Sequence, residues 1–404
     1  MKNMFKKVMS FTLAATMVVG SMFSLASCGG GDDDEATIKI GVSGPLTGGA
    51  AKYGIAVKNS AQMAIDEINE AGGLDGIKFE LLALDDEHKK EKVTTTYSSM
   101  LESGMQISLG TVTTAPGLEF KELSKDDNVF VLTPSATGDG IVEYDNAYQM
   151  CFADSNQGTA SAEYFNANYQ GKKVGVFYKS DDEYSKGIYD KFMASLDQNV
   201  KDAGVVVTSF TGDGLDFSSQ ANLLKDCDVI FLPVYTGPAA ALMTKGVGTI
   251  KNNAIYYGCD GLDGIEAEFA TMDRFMAIPQ EVSFLSHFNT TATSGPAYDF
   301  VQKYNAKYDE DKEPVNQFGA AAYDCVYAIY EALKTAKENG VDFDADTSAS
   351  DFCEILKDVF NSDDFVFHGI TGKCEGNNKS DISWSASGFV NKVADKYVVK
   401  EANS

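Results

Sequence analysis

The strongest constraint on the fold of this chain is an alternation of short apolar segments with amphipathic ones, which occurs in two separate series. In the first series we predict strands at 37–43, 79–84, 107–112, 129–132 and 148–152, and helices at 53–71, 90–102 and 116–124. Strict strand–helix alternation of this kind is typical of a doubly wound, mainly parallel sheet with helices on its faces. The first part of the chain is therefore predicted to be an α/β unit.

The alternation begins again after residue 153. The second series predicts strands at 173–178, 205–210, 228–232 and 254–257, and helices at 185–199, 217–224 and 239–245. An extended strand at 275–282, helices at 296–308, 317–339 and 349–360, and a strand-like tail at 365–399 follow. Two similar α/β halves that are joined by more than one crossing would enclose a cleft between them.

Two predicted strands of the first series run directly into small polar loops. The apolar run at 129–132 continues into Ser135, Ala136 and Thr137, and the run at 107–112 continues into Thr113 and Thr114. Ligands of open parallel sheets bind beyond the carboxyl ends of the strands, so these hydroxyls and amide N–H groups are candidates for binding an anion. The alternative is that both loops are ordinary turns with capping hydroxyls.

The first 27 residues are predicted to be a lipoprotein signal peptide. Three lysines precede an uncharged apolar stretch at 8–25, and Leu25-Ala26-Ser27-Cys28 is similar to a bacterial lipobox. We expect Cys28 to carry the lipid, and residues 28–36 to form a flexible acidic tether. An uncleaved membrane anchor is the alternative, because the apolar stretch is close to spanning length.

Charge opposes any role in binding nucleic acid. The 404 residues carry a net charge of −26, which becomes −29 when the signal and its three lysines are removed. Such a surface repels nucleic acids and anionic headgroups, so the lipid has to hold the protein at the membrane. Outside the cytosol the remaining six cysteines could form disulfides. The only disulfide that we predict is Cys353–Cys374, and the alternative is that the cysteines are buried free thiols.

The sequence offers little support for an enzyme. The loop G-P-L-T-G-G-A-A-K from Gly44 is neither a dinucleotide nor a P-loop motif, and no G-x-S-x-G elbow follows a strand. His88, His287 and His368 are scattered, and we predict each to be a surface or capping residue. The acids from Asp342 begin like a calcium loop but lack its glycine and glutamate. No catalytic residue, metal or cofactor is therefore predicted.

Short motifs along most of the chain resemble those of a known family. They are I-G-V-S-G-P-L-T-G from Ile40, Y-G at Tyr53, A-I-D-E-I-N-E-A-G-G from Ala64, D-D at Asp85, G-T-V-T-T-A-P from Gly110, T-P-S-A-T from Thr133, D-S-N-Q-G from Asp154 and Y-S-K-G from Tyr184. After its signal the chain resembles the type I periplasmic binding proteins that feed ABC importers. It is most similar to the leucine/isoleucine/valine-binding branch.

The resemblance implies a two-lobed α/β protein with three hinge crossings and no enzymatic activity. One lobe would comprise 37–153 and 283–362, and the other 154–282 and 363–404. The implied partners are a free amino acid, branched-chain or otherwise apolar, and an ABC importer permease. The implied form is a monomer outside the cytoplasm, anchored to the bacterial membrane by lipid.

The resemblance also implies roles for individual residues. Thr114 would bind the ligand carboxylate, with Thr113, Ser135, Ala136 and Thr137 around it. Asp260 would accept the α-ammonium, with Tyr184 and Tyr235 closing over the ligand, and Tyr53, Val112 and Phe318 would form the side-chain wall. Asp260 stands where the branch more often has Glu, and Thr114 replaces a smaller Ser, so ligand size is left open.

Other solutes of the same family remain alternatives: an amide, urea, or an aromatic or polar amino acid. Urea ranks below amino acids, because it has no ammonium for Asp260 to bind. The same two-lobed fold also serves in receptors, so a ligand-sensing module is a second alternative.

Overall fold

The computed structural model describes residues 36–308, 313–374, 376–392 and 394–403. Cys28 and the predicted signal peptide lie outside the described residues, as does the predicted tether except for Ala36. Within the described parts of the chain, no helix has both the length and the apolar character to cross a membrane.

The first sheet is fully parallel and has the strand order β2-β1-β3-β4-β5. Its strands are β1 (Thr37–Gly44), β2 (Lys78–Asp85), β3 (Ile107–Thr111), β4 (Val131–Thr133) and β5 (Ala147–Gln149). Its connecting helices are α1 (Ala51–Glu70), α2 (Lys90–Glu102) and α3 (Thr114–Asp126). In this register Ile38 lies beside Phe79, and Val131 lies beside Ala147.

The second sheet has a parallel part with the order β10-β9-β8-β6-β7. Its strands are β6 (Val174–Lys179), β7 (Val205–Phe210), β8 (Val229–Leu232), β9 (Ile255–Gly258) and β10 (Glu281–Ser286). The helices of this part are α4 (Asp154–Asn168), α5 (Glu183–Ser195), α6 (Gln198–Asp202), α7 (Ser218–Leu224), α8 (Thr236–Gly246) and α9 (Met272–Met276). The predicted doubly wound α/β architecture is thereby confirmed for both halves.

The remaining elements complete both lobes. They are α10 (Gly295–Lys307), α11 (Gln317–Glu338), α12 (Ala349–Phe360), β11 (Phe367–Gly369), β12 (Ser380–Ile382) and β13 (Asp395–Lys400). β11 and β12 form a small antiparallel sheet, and β13 pairs antiparallel with β10 at one side of the second sheet. The chain thus passes between the lobes three times: after β5, after β10 and before β13.

Helix α11 packs closely on α1 because a glycine lies at their contact. A Cβ at Gly319 would lie 2.7 Å from Ser60 Oγ and 3.0 Å from the carbonyl oxygen of Ala56. Asn316 caps α11 by accepting a 2.9 Å hydrogen bond from the Gly319 N–H group. The buried face of α11 then continues the core of the first sheet through small residues such as Ala321 and Ala328.

The predicted exit strand at 275–282 is wrong. The Thr271 hydroxyl accepts a hydrogen bond from the Arg274 N–H group and thereby caps the short helix α9, so the strand begins only at Glu281. The apolar residues of this stretch fit either conformation, and the side-chain cap favours the helix.

The structure also bears on the predicted lobe boundaries. The boundary after residue 282 falls inside β10, which pairs with β9 of the second sheet. The tail beyond residue 363 divides between the lobes. Phe365, Phe367, Ile382, Trp384 and Val390 belong to the core of the first sheet, whereas β13 joins the second. The boundaries remain a prediction, and these contacts favour moving both of them toward the C-terminus.

The offered Cys353–Cys374 disulfide is not formed. Cys353 is buried in α12 within the core of the first sheet, whereas the Cys374 thiol donates to the carbonyl oxygen of Ile370 at 3.2 Å. The six described cysteines are free thiols, five of them buried.

Candidate ligand-binding site

A small buried cavity lies between the lobes, beyond the carboxyl ends of strands from both sheets. It is lined by Tyr53, Val112, Thr113, Thr114, Ser135, Thr137, Tyr184, Tyr235, Asp260, Gly261 and Phe318. Its volume is about 10 Å³, which is room for about one water molecule. The structure therefore has the lobes closed, and they have to separate before a larger molecule can enter.

Ten of the eleven residues predicted from the sequence line this cavity. Ala136 does not: its N–H group donates to Thr133 Oγ1 at 3.1 Å, and its carbonyl oxygen accepts from Gln149 Nε2 at 3.1 Å, so its polar groups point into the protein. Gly261 lines the cavity and was not predicted. Its position directly after Asp260 was the available signal.

One side of the cavity carries groups that suit an anion. Thr114 is the first residue of α3, and its hydroxyl is buried without a hydrogen-bond partner among the described residues. The Ser135 hydroxyl donates to the carbonyl oxygen of Val112 at 2.7 Å. A free hydroxyl beside the N-terminus of a thirteen-residue helix provides a donor and a favourable dipole for a carboxylate.

The opposite side carries a buried acid. Asp260 Oδ1 accepts a 2.7 Å hydrogen bond from the Tyr184 hydroxyl, and the Asp260 N–H group donates to Gln157 Oε1 at 3.0 Å. Burial raises the pKa of Asp260 to about 6, and the hydrogen bonds to Tyr184, Gln157 and Gly261 lower it only in part. These partners are neutral, so an ammonium group at this position would compensate the buried charge.

A second buried acid, Asp154, was not predicted as a site residue. It begins α4, and its Oδ1 has no hydrogen-bond partner within the described parts of the chain. Burial raises the pKa of Asp154 well above its usual range, and the nearby charge of Asp260 raises it further. Asp154 does not line the cavity. The D-S-N-Q-G motif that begins at this residue was the signal that could have marked it.

Aromatic rings close the cavity from both lobes. Tyr235 stacks on Tyr184 with ring centroids 4.7 Å apart, and Tyr53 meets Phe318 edge-on at 5.3 Å. The Tyr53 hydroxyl crosses to the second lobe, where it donates to the carbonyl oxygen of Gly261 at 2.9 Å. These rings give the cavity an apolar wall that could enclose an aliphatic side chain.

Of the three histidines predicted to be surface or capping residues, only His368 is exposed. It lies 2.8 Å from Asp381. His88 is half-buried behind the cavity, with Nδ1 2.9 Å from Thr113 Oγ1 and its ring edge-on to Tyr235. His287 is buried against Phe152, because it directly follows β10 where the chain crosses between the lobes. The prediction was therefore wrong for His287.

Comparisons with known proteins identify the family and the fold. A family model described as periplasmic binding protein matches residues 37–365. The Leu/Ile/Val-binding protein BraC3 of Rhizobium johnstonii is 27% identical, covering 94% of this chain and 98% of that protein. A leucine-, isoleucine-, valine-, threonine- and alanine-binding protein of Pseudomonas aeruginosa is also 27% identical, over 75% of this chain and 79% of that one.

Solved structures give the same result. The substrate-binding protein LivJ of Streptococcus pneumoniae, in complex with isoleucine, superposes with a TM-score of 0.70 at 27% identity, over 90% of this chain and 99% of that chain. A benzoate complex of a solute-binding protein from R. palustris has a TM-score of 0.71 at 17% identity, over 91% and 94%, and shows the shared fold alone. The resemblance read from the motifs is confirmed: the chain belongs to the periplasmic binding protein family.

Proposed function

We propose that this protein captures a free amino acid, branched-chain or otherwise apolar, between its two lobes and delivers it to an ABC importer. One observation carries the proposal. A single cavity brings together three features: the Thr114 hydroxyl, which has no hydrogen-bond partner among the described residues; the Asp260 carboxylate, which is hydrogen-bonded only to uncharged groups; and a wall of aromatic rings. An α-amino acid offers a carboxylate, an ammonium and a side chain to match these three features.

Each part of the ligand has its own partner in this proposal. The carboxylate accepts from the Thr114 hydroxyl and from N–H groups at the start of α3, and the ammonium donates to Asp260. Tyr53, Val112 and Phe318 enclose the side chain. Asp260 is one methylene shorter than Glu, so the ammonium has to lie closer to the second lobe or be bridged by water.

The affinity expected from such contacts is ordinary for a binding protein. Hydrogen bonds to charged groups contribute about 1.5–3 kcal/mol each, and micromolar binding is about −8 kcal/mol. Four or five such bonds, reduced by the cost of ordering the ligand and closing the lobes, reach that range. The charged ends of the ligand therefore set the class of solute, and the apolar wall sets which amino acid binds.

A small acid or amide without an amino group is the second candidate. The R. palustris protein of the same fold was solved with benzoate, which shows that the fold can serve an aromatic acid. Asp260 opposes this candidate, because a buried carboxylate without a cation would lie close to the ligand. A protein evolved for benzoate or urea has no use for this acid.

The proposal places the protein outside the cytoplasm, held at the membrane by lipid on Cys28 and acting as a monomer beside its permease. Mass spectrometry of the N-terminal peptide tests the anchor. A diacylglyceryl modification on Cys28, absent after Cys28→Ala, is expected. An unmodified Cys28 in membrane-bound protein would contradict it.

Titration calorimetry and thermal shift against the twenty amino acids, urea, short amides and benzoate test the ligand class. A ligand at 100 times its dissociation constant adds about 2.7 kcal/mol, which raises the Tm by a few degrees in a protein of this size. Binding of one or several apolar amino acids is the expected result. A response to benzoate or urea without any to amino acids overturns the assignment of Asp260.

A further inference from the structure

One segment of the second lobe makes several polar contacts across the cleft. This clasp segment, residues 260–268, follows β9 and begins with Asp260. The carbonyl oxygen of Gly264 accepts from Lys52 Nζ at 3.4 Å, and Glu268 forms an ion pair with Lys52. Together with the bond from Tyr53 to Gly261, these contacts join the clasp segment to the first turn of α1.

The clasp segment also contacts the first turn of α11. Asp263 Oδ2 accepts a 2.9 Å hydrogen bond from the Gln317 N–H group. This N–H group is one of the four at a helix start that have no partner within their own helix. Both residues are buried, so the bond is shielded from water. The next residue of the helix, Phe318, lines the ligand cavity.

We propose that Asp263 is a positioning residue, which holds the start of α11 and the ring of Phe318 in place when the lobes close. This inference rests on the proposed function and goes beyond it, because Asp263 does not line the cavity. Asp260 and Asp263 lie in one short segment, so a ligand that fixes Asp260 also places Asp263 against the helix. Ligand binding and lobe closure are coupled through this segment.

Two variants of Asp263 separate its charge from its shape. Asp263→Ala removes the acceptor at the helix start, and a loss of about 10- to 100-fold in affinity for L-leucine and L-isoleucine is expected. Asp263→Asn keeps an acceptor oxygen and is expected to lose less than about tenfold. Glu266→Gln is the matched control: it removes the same charge from the same segment, and Glu266 has no hydrogen bond to the described residues of the first lobe.

The pH dependence of ligand affinity provides a second test, because it would not change if Asp263 only stabilised the fold. Burial raises the pKa of Asp263 to about 7 in the closed form, and opening returns the carboxylate to water and its pKa to about 4. Closure therefore takes up a proton between these values, so the affinity of the wild type relative to Asp263→Asn falls as the pH rises from 5 to 7 and is level above 7. The other titratable groups near Asp263 are unchanged in Asp263→Asn: Asp260, Glu266, Lys52, Tyr53 and His287.

The outcomes distinguish a failure of the positioning role of Asp263 from a failure of the proposed function. If the wild type binds L-leucine and Asp263→Ala binds it within about twofold, the positioning role is overturned and the function stands. If the wild type binds no amino acid, the proposed function is wrong. Small-angle scattering without ligand then tests whether Asp263 helps to hold the lobes closed. A larger radius of gyration for Asp263→Ala than for the wild type supports this role of Asp263, and equal radii overturn it. If Asp263→Ala does not fold, Asp263→Asn decides the same comparisons.

Discussion

The Tyr184 hydroxyl donates a 2.7 Å hydrogen bond to Oδ1 of Asp260 while its ring stacks on Tyr235. The acid is thus held in one orientation by a residue whose own position is fixed by packing. This arrangement leaves Asp260 ready for a cation but does not neutralise it, and it leads to the first two predictions.

Asp260→Ala should lower the affinity for the bound amino acid by about 2–5 kcal/mol, because the ligand ammonium loses its only charged partner in the cavity lining. Calorimetry with the amino acid that the wild type binds measures this loss. Asp226→Asn, an exposed acid of the same lobe, serves as the control and should bind like the wild type. A loss below about 1 kcal/mol would remove Asp260 from the site.

Tyr184→Phe should shift the pH dependence of binding. Burial raises the pKa of Asp260 to about 6 when the lobes are closed, and the ammonium binds the ionised form, so the affinity falls as acidification protonates Asp260. The Tyr184 hydroxyl lowers this pKa, and its removal should move the loss of affinity to a higher pH. Affinities measured from pH 4.5 to 9 test this. Tyr189→Phe, outside the cavity, should leave the profile unchanged, and an unshifted profile in Tyr184→Phe would refute the prediction.

Thr114→Val should have opposite effects on stability and binding. The variant replaces a buried hydroxyl that lacks a hydrogen-bond partner by a methyl group of similar size, so the Tm without ligand should stay level or rise. Affinity for the amino acid should fall by about 1.5–3 kcal/mol, since the ligand carboxylate loses a donor. Thr114→Ser, which keeps the hydroxyl, is the control. Equal affinity of the Val and Ser variants would exclude a hydrogen bond from this side chain.

Gly319→Ala should destabilise the first lobe by about 1–3 kcal/mol, because the added Cβ would lie 2.7 Å from Ser60 Oγ and 3.0 Å from a backbone oxygen of α1. Gly237→Ala in α8 is the matched control. Nothing lies within 4 Å of a Cβ there, so the higher helix propensity of Ala should keep stability level or raise it. Urea unfolding measures the free energy of unfolding of both variants. Equal values would mean that α1 and α11 can move apart without a loss of stability.

His287→Phe should remove part of the acid sensitivity of folding. Burial lowers the pKa of His287 well below its usual range, so the unfolded chain binds a proton that the folded one excludes as the pH falls below about 6.5. Wild-type stability should therefore drop on acidification by up to about 1.4 kcal/mol per unit from this residue. Urea unfolding at pH 5 and 7.5 measures the drop. His368→Gln, at an exposed position, should behave like the wild type, and an equal drop in His287→Phe would contradict the assignment.

The architecture could be predicted from the sequence because strand–helix alternation and loop chemistry are local signals. The helix at 90–102 and the strand at 205–210 were predicted at their observed bounds. The loops after β3 and β4 identified Thr114 and Ser135 as neighbours, because parallel strands bring their carboxyl ends to the same edge of the sheet. The residues on the second lobe came from the family resemblance instead.

The remaining features depend on contacts between distant parts of the chain. The burial of His287 follows from the crossing at β10, and the hydrogen bond between Asp263 and Gln317 joins residues 54 positions apart. The lobe to which the tail belongs depends on such contacts as well: Trp384 packs on Phe360 of the first lobe, although the strand-like sequence of the tail is equally compatible with either sheet. No local pattern encodes such contacts.

The small cavity also has a kinetic consequence. In this structure the cavity has room for about one water molecule, so an amino acid can bind only if the lobes close less tightly around it, and it can enter or leave only when they open. The residence time of a bound amino acid therefore cannot be shorter than the waiting time for the lobes to open. Two amino acids of different affinity would leave through the same opening event, and any protein that forces the lobes apart would determine when the cargo is released.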